Sequence, residues 1–533
     1  MTPCIVSSDL LVIGSGIAGL SAALEARKQG LRVRVISKSP PGKASNTYLA
    51  GGMFTFATET FSREEHLETS LATGGRLNDR LRLEAFIDRA PDKVRELLAM
   101  GLQGSFQQTG FSCRTSGFIG GPSLAGLLLR SCREAEVEFS GQMFVQRLLV
   151  SDRSVCGAFA LDKQTGQVYG FQAPRVILAT GGAGSLYARN DNAPGALGDG
   201  YTLGLAAGLE CIDMEFVQFY PLVSAESVNS HMILPAVLAD WGRIGNPQGE
   251  DIRAKYELPE TGAAIVARDR LSRAMFTEIA AGRAFDGALH LEIEKADWER
   301  VPLDDAAKQK FIEKTRHKPG PIRVTPAAHH TMGGLLTDPR GRTALEGLYA
   351  IGEVVGGIHG ANRVGGNALC EALVYAESSV RSLLAEPTPT DPKSSFESLV
   401  HQAFQEETTG FRSRSADSLD PGTILQLLRE SMWEGAGIIR SRGSLEQTCQ
   451  TIETLQHKSR ACAPGTPRER VRLQEIRKAL LAARAITLSA LQRTESRGAH
   501  FREDWPREDP NWQRHVALAM SGDEVLVTRS IEV

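Results

Sequence analysis

Two histidines and one arginine stand beside short glycine runs in the second half of the sequence. His329 and His330 precede a glycine pair, and Arg363 lies inside the glycine-rich segment HGANRVGG at residues 359–366. A guanidinium binds a carboxylate through paired charge-assisted hydrogen bonds, and glycines let a ligand approach the backbone closely. A histidine pair or one arginine is more often structural than catalytic, but their density beside these glycines favours a ligand site.

The residues that follow predict the start of a helix next to this glycine loop. Asn367, Ala368 and Leu369 open a stretch with apolar residues at helical spacing. The first N–H groups of a helix have no partner within the helix, so they favour partial negative charge on a neighbouring ligand. A reduced flavin ring would benefit from such a position.

A second glycine motif near the N-terminus predicts a dinucleotide site. Residues 14–19 read GSGIAG and lie between an apolar strand pattern and a helical one, where the glycines allow the turn, a diphosphate and close helix packing. Ser37 and Lys38 stand where an NAD-binding protein usually carries Asp or Glu for the ribose hydroxyls. The motif therefore favours a dinucleotide other than NAD.

Three distant segments predict one parallel sheet that would position these motifs. The apolar strand pattern that starts at residue 9 and those at 175–179 and 347–353 all end in glycines, and an alternating strand pattern at 31–36 completes a βαβ unit with the first. Residues 222–322 lack this pattern, and we interpret them as an inserted domain with a helix at 264–281. Alternating prolines in residues 386–395 predict a linker, and the pattern beyond it predicts long helices.

The amino-acid composition is that of an ordinary globular protein. The 533 residues are 42% hydrophobic and 23% charged, and 60 basic against 63 acidic side chains leave a formal net charge of −3. This balance gives no excess of positive charge of the kind that binds nucleic acid. Eight scattered cysteines form no metal-like or C-x-x-C spacing, so we expect reduced thiols, no metal site and a cytoplasmic protein. No apolar run is long enough to predict a membrane span.

These motifs, with several further segments, resemble the flavoprotein family of succinate dehydrogenase, fumarate reductase and L-aspartate oxidase over nearly the whole chain. The most specific matches are HGANRVGGNAL at residues 359–369 and RTESRGAH at residues 493–500. The resemblance implies an α/β fold: a Rossmann-like FAD-binding domain with an inserted α+β capping domain and a C-terminal helical domain. We place the FAD-binding domain at 1–222 and 323–385, the capping domain at 223–322, the linker at 386–395 and the helical domain at 396–533.

The resemblance also implies roles for individual residues. Arg268 matches the arginine that delivers a proton to a substrate carbon while flavin N5 passes hydride, with Asp269 as a candidate relay, and His329 and Arg363 match residues that hold a substrate carboxylate. Ser37 and Lys38 match the ribose-end residues, and Glu353 matches the FAD hydroxyl ligand. The complete set of implied FAD-binding residues is Gly14, Ser15, Gly16, Ala18, Gly19, Ser37, Lys38, Ser45, Asn46, Thr47, Gly51, Gly52, Ala179, Thr180, Gly181, Asp199, Glu353, Asn367, Ala368 and Leu369.

The sequence departs from the family pattern at three places. Tyr220 stands where the succinate and fumarate enzymes carry His, which alters a ligand of the second carboxylate. The capping-domain segment 234–242 reads LPAVLADWG in place of the family's polar motif, and Arg243 or the Tyr220 hydroxyl could substitute. Asn46 stands where membrane-bound members attach FAD through histidine, so we expect non-covalent FAD. Glu495, Arg497 and His500 are interpreted as a buried salt-bridge corner.

Three functions remain open at this point. The first is an FAD-dependent oxidoreductase of fumarate reductase or succinate dehydrogenase type acting on fumarate or another enoate. The second is an L-aspartate oxidase, ranked lower because Gly365-Gly366 resembles the reductases more. The third is a non-catalytic flavin-bearing subunit. Because the chain lacks an iron–sulfur cysteine set, the resemblance implies a partner, either an iron–sulfur or another electron-transfer subunit, through which the protein could lie at a membrane surface.

Overall fold

The computed structural model describes residues 2–113, 120–225, 232–301, 308, 321–388, 393–409 and 419–533. Its strands are β1 (Cys4–Ser7), β2 (Leu10–Ile13), β3 (Val33–Ile36), β4 (Met53–Thr55), β5 (Ser105–Gln107), β6 (Gly110–Ser112), β7 (Glu138–Ser140), β8 (Met143–Ser151), β9 (Ser154–Asp162), β10 (Val168–Gln172), β11 (Val176–Leu178), β12 (Cys211–Ile212), β13 (Val217–Ser224), β14 (Arg243–Gly245), β15 (Leu289–Glu292), β16 (Ile322–Thr331), β17 (Gly334–Leu335), β18 (Leu348–Ala350), β19 (Arg514–Ser521) and β20 (Glu524–Glu532).

Its helices are α1 (Ile17–Lys28), α2 (Asn46–Leu49), α3 (Arg63–Thr73), α4 (Arg80–Ala99), α5 (Gly121–Glu134), α6 (Asp199–Ala206), α7 (Leu238–Trp241), α8 (Ile252–Lys255), α9 (Ala263–Val266), α10 (Arg268–Ala280), α11 (Lys295–Arg300), α12 (Asn367–Ala385), α13 (Lys393–Thr409), α14 (Pro421–Gly435), α15 (Arg442–Arg460) and α16 (Pro467–Gln492). Short 3-10 turns cover Gly184–Leu186, Gly352–Val354 and Pro510–Trp512. None of the helices in the described part of the chain is both long and apolar enough to cross a membrane.

The predicted parallel sheet is confirmed. Its strand order is β18-β11-β2-β3-β7, and every neighbouring pair is parallel. All four residues of β2 are buried: Leu10 and Val12 pack into one apolar core, and Leu11 and Ile13 into the other. A strand covered on both faces must be apolar at every position, which explains its continuous LLVI sequence.

The inserted region forms a sheet of its own, with strand order β13-β16-β15-β14. Its long strands β13 and β16 begin before residue 223 and end after residue 322, so the sheet extends beyond the predicted boundaries on both sides. The helix predicted at 264–281 is divided into α9 and α10, because Ala267 adopts φ −123° and ψ 32°. This break makes Arg268 the first residue of α10.

The C-terminal domain contains the predicted long helices α14, α15 and α16 and, in addition, the hairpin β19-β20. The hairpin pairs with β12, which precedes the capping region, and thereby joins distant parts of the chain in one sheet. Helix α13 covers Lys393–Thr409 and so overlaps the end of the predicted linker 386–395. None of the eight cysteines forms a disulfide within the described part of the chain.

A histidine on β19 gives this docked hairpin a pH-dependent contribution to stability. His515 Nδ1 lies 2.5 Å from Asp213 Oδ2 in a buried site. Burial lowers the pKa of His515, but the charge of Asp213 and the hydrogen bond to it together outweigh burial and raise the pKa overall. A histidine whose pKa is higher in the folded than in the unfolded state stabilises the folded state. This stabilisation is complete at pH values below the unfolded-state pKa of about 6.5, and it is lost as the pH rises through the folded-state pKa.

We therefore expect His515→Asn to lower the free energy of unfolding more at pH 5.5 than at pH 9. Urea unfolding of both proteins at the two pH values measures the difference. His457→Asn, at an exposed position on α15, is the control for loss of an imidazole that does not contact Asp213. An equal loss for His515→Asn at both pH values would contradict the expectation.

Candidate active site

A cavity of about 950 Å³ lies at the carboxyl ends of the parallel strands. The residues that follow β2, β3, β11 and β18 line it, together with α2, the first turn of α12 and part of the capping region. Ligands of open α/β sheets bind at this edge, where the loops after the strands converge. The motifs from distant parts of the sequence therefore meet in one cavity.

The glycine turn after β2 has the close backbone approaches that the motif predicts. Gly14 adopts φ +117°, and a Cβ there would lie 2.1 Å from the carbonyl oxygen of Ala179. A Cβ on Gly19 would lie 2.0 Å from the Gly14 carbonyl oxygen, so only glycine lets α1 pack against the turn. Ile17 N donates to Thr47 Oγ1 at 2.9 Å, which fixes the start of α1 at the cavity.

Most of the predicted cofactor and catalytic residues line this cavity. They are Gly14, Ser15, Gly16, Ala18, Ser37, Lys38, Ser45, Asn46, Thr47, Gly51, Gly52, Ala179, Thr180, Gly181, Asp199, Glu353, Ala368, Leu369, Arg268, His329 and Arg363. Three predicted residues do not line it. Gly19 packs in the turn, Asn367 bonds to His66 and Ser70, and Asp269 lies 3.6 Å from Arg273 with its side chain 31% exposed.

Asn46 belongs to a buried network around Glu353. Its Nδ2 donates to Asn192 Oδ1 at 2.7 Å and to Glu353 Oε2 at 3.0 Å, and its Oδ1 accepts from Ala193 N. Glu353 Oε1 also accepts from Thr331 N at 3.2 Å. Burial raises the pKa of Glu353, although these donors oppose the shift. Lys38 forms an ion pair with Asp199 elsewhere in the same cavity.

Two buried arginines share one amide oxygen in this cavity. Gln218 Oε1 accepts from Arg363 Nη2 at 3.0 Å and from Arg268 Nη1 at 3.3 Å. Burial lowers the pKa of both groups, and for Arg363 burial and then the charge of Arg268 lower it to about 9. Two cations that share a neutral acceptor repel each other and gain strongly from a bound anion.

His329 and Tyr220 lie next to this arginine pair. His329 Nδ1 lies 2.7 Å from the buried carboxylate of Asp191, an arrangement that fixes the imidazole ring. The Tyr220 ring lies 5.5 Å from the His329 ring and 5.2 Å from the Arg268 guanidinium carbon. The Tyr220 hydroxyl donates to the carbonyl oxygen of Leu234 at 2.8 Å, so its hydrogen is directed away from the arginines.

Several buried polar atoms of the cavity lining have no hydrogen-bond partner within the described part of the chain. They are Thr180 Oγ1, Asp199 Oδ1, His330 Nε2 and Arg363 Nε. Buried polar groups in folded proteins are almost always paired, so these atoms indicate a polar ligand. A flavin dinucleotide fits, because the lining also offers the N-terminal ends of α1 and α12 for negative charge.

Sequence reasoning missed two residues of this site. Gln218 lies in a segment that resembles the family, but its residue type alone indicates no role, although a buried amide between two arginines is needed to space their charges. Asp191 gave no signal, since its proximity to His329 depends on how residues 190–193 pack against β16. Neither partnership follows from spacing along the chain.

Comparison with known proteins agrees with this architecture. Residues 9–369 match the family model of the FAD binding domain, and residues 426–532 match that of the fumarate reductase flavoprotein C-terminus. The chain is 33% identical to a subunit of the fumarate reductase (CoM/CoB) of Methanothermobacter marburgensis, with 96% of each chain covered. It is 31% identical to L-aspartate oxidase of Streptomyces coelicolor, covering 99% of this chain and 94% of that one.

Among solved structures, the Sdh1 complex of Mycobacterium smegmatis in the apo form matches with a TM-score of 0.84 and 29% identity, covering 99% of this chain and 95% of that one. Both the glycine-rich cavity and the C-terminal domain thus fall within matched regions. The chain belongs to the fumarate reductase and succinate dehydrogenase flavoprotein family and is an FAD-dependent oxidoreductase.

Proposed function

We propose that the protein transfers hydride between FAD and a carbon–carbon double bond conjugated to a carboxylate, in the direction of either the enoate or the saturated acid. The observation that carries this proposal is the buried pair Arg268 and Arg363, which share Gln218 Oε1 within the FAD cavity. A carboxylate placed there relieves the repulsion of the two cations. The same contact withdraws electrons from the conjugated double bond.

The cavity residues divide into groups that would hold different parts of FAD. The turn at Gly14 and Gly16, with the N-terminus of α1, would hold the diphosphate, Ser37 and Lys38 the ribose end, and Glu353 a hydroxyl of FAD. The glycines at 365–366 and the start of α12 would lie against the flavin. When bound, FAD supplies the acceptor or donor of a hydride.

The arginines and His329 would act on the substrate. Arg363 and His329 would hold the carboxylate, and Arg268 would donate a proton to the carbon next to it during reduction. An arginine is a weak acid, with an ordinary pKa above about 12. Burial lowers the pKa of Arg268, which makes proton release easier than from an exposed guanidinium. Asp269, partly exposed on the next residue of α10, is the candidate for resupplying that proton from solvent.

The two electrons of each turnover must enter or leave through another molecule. The eight cysteines include no C-x-x-C pair of the kind that binds an iron–sulfur cluster. We therefore propose a separate electron-transfer subunit, such as an iron–sulfur protein, as the physiological partner. The M. marburgensis relative is itself named as a subunit.

The test is anaerobic. The FAD-loaded protein is reduced with dithionite, excess reductant is removed, and the visible absorbance is followed while a 2-enoic acid is added. Reoxidation with formation of the saturated acid, detected by mass spectrometry, supports the proposal. A reducible flavin that no enoate reoxidises would overturn it.

L-aspartate oxidase activity is the second candidate, because the S. coelicolor relative of that name covers nearly the whole chain. This reaction would run in the opposite sense, removing two electrons from the amino acid. Anaerobic bleaching of the oxidised flavin by L-aspartate, with release of ammonia, would favour it over the enoate reaction.

From the residue at position 46 we expect FAD to be bound without a covalent bond to the protein. Its carboxamide, engaged with Asn192 and Glu353, offers no imidazole nitrogen for a covalent bond to the flavin. Precipitation of the holoprotein with trichloroacetic acid should therefore release all the yellow colour into the supernatant. Flavin fluorescence that stays with the denatured chain on a gel would contradict this prediction.

A further inference from the structure

One wall of the cavity, next to Arg268, is apolar. We call it the apolar wall: the Tyr220 ring, Ile265 and the five consecutive residues Ile233, Leu234, Pro235, Ala236 and Val237, all of which line the cavity. None of these side chains carries a charge, and only the Tyr220 hydroxyl could donate a hydrogen bond. Apart from its backbone peptide groups, this surface is therefore suited to contact with the hydrocarbon part of a ligand.

The apolar wall is held in place by the capping sheet. Leu234 N donates to Leu222 O at 2.8 Å, and Ile233 forms a bridge with Val223, so residues 233 and 234 extend the edge of β13. The Tyr220 hydroxyl donates to Leu234 O. A fixed backbone with these contacts keeps the same side chains directed at the cavity.

The Tyr220 ring is the part of the apolar wall that lies next to the arginine pair. Tyr220 contacts Leu234 through its hydroxyl and Arg268 through its ring face, 5.2 Å from the guanidinium carbon. A small acid whose carboxylate binds Arg363 would therefore extend its other end toward hydrocarbon.

The charges nearby also disfavour a second anion. Asp191, buried beside His329, places a carboxylate on this side of the cavity. Among the described residues of the lining, the arginines are Arg268 and Arg363, and both already face the same Gln218 oxygen. The lysines of the lining, Lys38 and Lys43, belong to the segment that follows β3, and Lys38 is paired with Asp199. A second carboxylate against the apolar wall would be desolvated without a cation to compensate it.

We infer that the substrate is a 2-enoic acid, or its saturated counterpart, with a single carboxylate and an apolar group on the β-carbon. The inference rests on the proposed function, since it names the substrate class of that reaction. It excludes fumarate, succinate and aspartate as preferred substrates.

Binding of saturated acids tests the inference without reference to turnover. Butanoate, hexanoate and succinate share one carboxylate and differ on the β-carbon, which carries a methyl group, a propyl group or a second carboxylate. Isothermal titration calorimetry on the oxidised holoprotein should give a dissociation constant for hexanoate at least about tenfold below that for butanoate, since each buried methylene contributes roughly fourfold. Succinate should bind more weakly than butanoate.

A charged variant of the apolar wall supplies the matched comparison. Val237→Lys places a cation in the wall, and Val237→Met adds similar length without charge. For each variant, the affinity for succinate is divided by the affinity for hexanoate. This ratio should be at least about tenfold higher in the lysine variant than in the methionine variant. Equal ratios in the two variants would overturn the inference.

The outcomes separate this inference from the proposed function. If fumarate reoxidises the reduced flavin and succinate binds more tightly than butanoate and hexanoate, the substrate class is wrong and the enoate reaction stands. If hexanoate binds best but neither but-2-enoate nor hex-2-enoate reoxidises the flavin, the cavity selects apolar monocarboxylates and the enoate reaction is wrong. Tight hexanoate binding together with reoxidation by hex-2-enoate supports both.

Discussion

Replacing Arg268 with alanine should slow reoxidation of the reduced flavin by an enoate by a factor of about 10³ or more. The guanidinium both supplies the proton and stabilises negative charge that develops on the substrate, and such contributions are each worth roughly 10²–10⁴-fold. The side chain does not participate in the FAD turn at Gly14, so the ratio of bound FAD to protein should stay unchanged. Stopped-flow absorbance on reduced holoprotein measures the rate.

Two further substitutions on α10 sharpen this test. Arg270→Ala removes an exposed guanidinium from the same helix, where it donates to Glu257 O at 3.1 Å, and should leave the rate unchanged. Arg268→Lys keeps a positive charge but loses the planar fork that reaches Gln218 and a carboxylate together, so its rate should fall between those of alanine and wild type. Reoxidation that is equally fast in Arg268→Ala would contradict the role of Arg268 as proton donor. Unaffected turnover of the whole complex, in a protein whose flavin no enoate reoxidises, would favour the non-catalytic electron-transferring subunit.

The parts of the fold that follow from local rules could be predicted from the sequence. The turn at Gly14 requires glycine because of its positive φ and its distance from Ala179, and a strand such as β2 must be apolar throughout when both of its faces are covered. These constraints act on neighbouring residues. They explain why the motifs predict the parallel sheet and the cavity lining.

The remaining features depend on contacts between distant segments. The pairing of Asp191 with His329 spans 138 residues, and Gln218 reaches Arg363 across 145 residues, so neither leaves a periodic pattern. The hairpin β19-β20 has a turn signal, because Gly522-Asp523 forms a two-residue loop with positive φ at Gly522, but its pairing with β12 depends on a distant segment. The break at Ala267 has no glycine or proline at that position to mark it.

The second large effect concerns the ion cluster that joins the C-terminal domain to the strand carrying Gln218. Arg493 is fully buried, and its Nε lies 2.5 Å from Glu215 Oε1 while its Nη1 lies 3.0 Å from Glu495 Oε1. Arg497 completes the cluster with a 2.8 Å contact to Glu495. These contacts place Glu495 and Arg497 in the expected buried salt-bridge corner, where His500 also lies, 2.7 Å from Arg440.

Arg493→Met should lower the free energy of unfolding by about 3–5 kcal/mol, because it leaves Glu215 buried without its cation. Glu495 keeps its contact with Arg497. Urea unfolding measures this loss. The surface pair Arg529 and Glu210, 2.6 Å apart, is the control, and Arg529→Ala should leave the free energy of unfolding nearly unchanged.

A double substitution separates the charge effect from lost packing. Glu215→Gln in the Arg493→Met background removes the buried carboxylate that has lost its cation, so the double variant should be less destabilised than the sum of the single variants. Because Glu215 lies three residues before Gln218, Arg493→Met should also weaken carboxylate binding at Arg268 and Arg363. The double variant should regain part of the lost binding affinity. Strictly additive losses in stability would mean that Arg493 acts through packing against Phe216 and Trp512, whose rings lie 4.8 Å and 5.3 Å from its guanidinium carbon, rather than through charge.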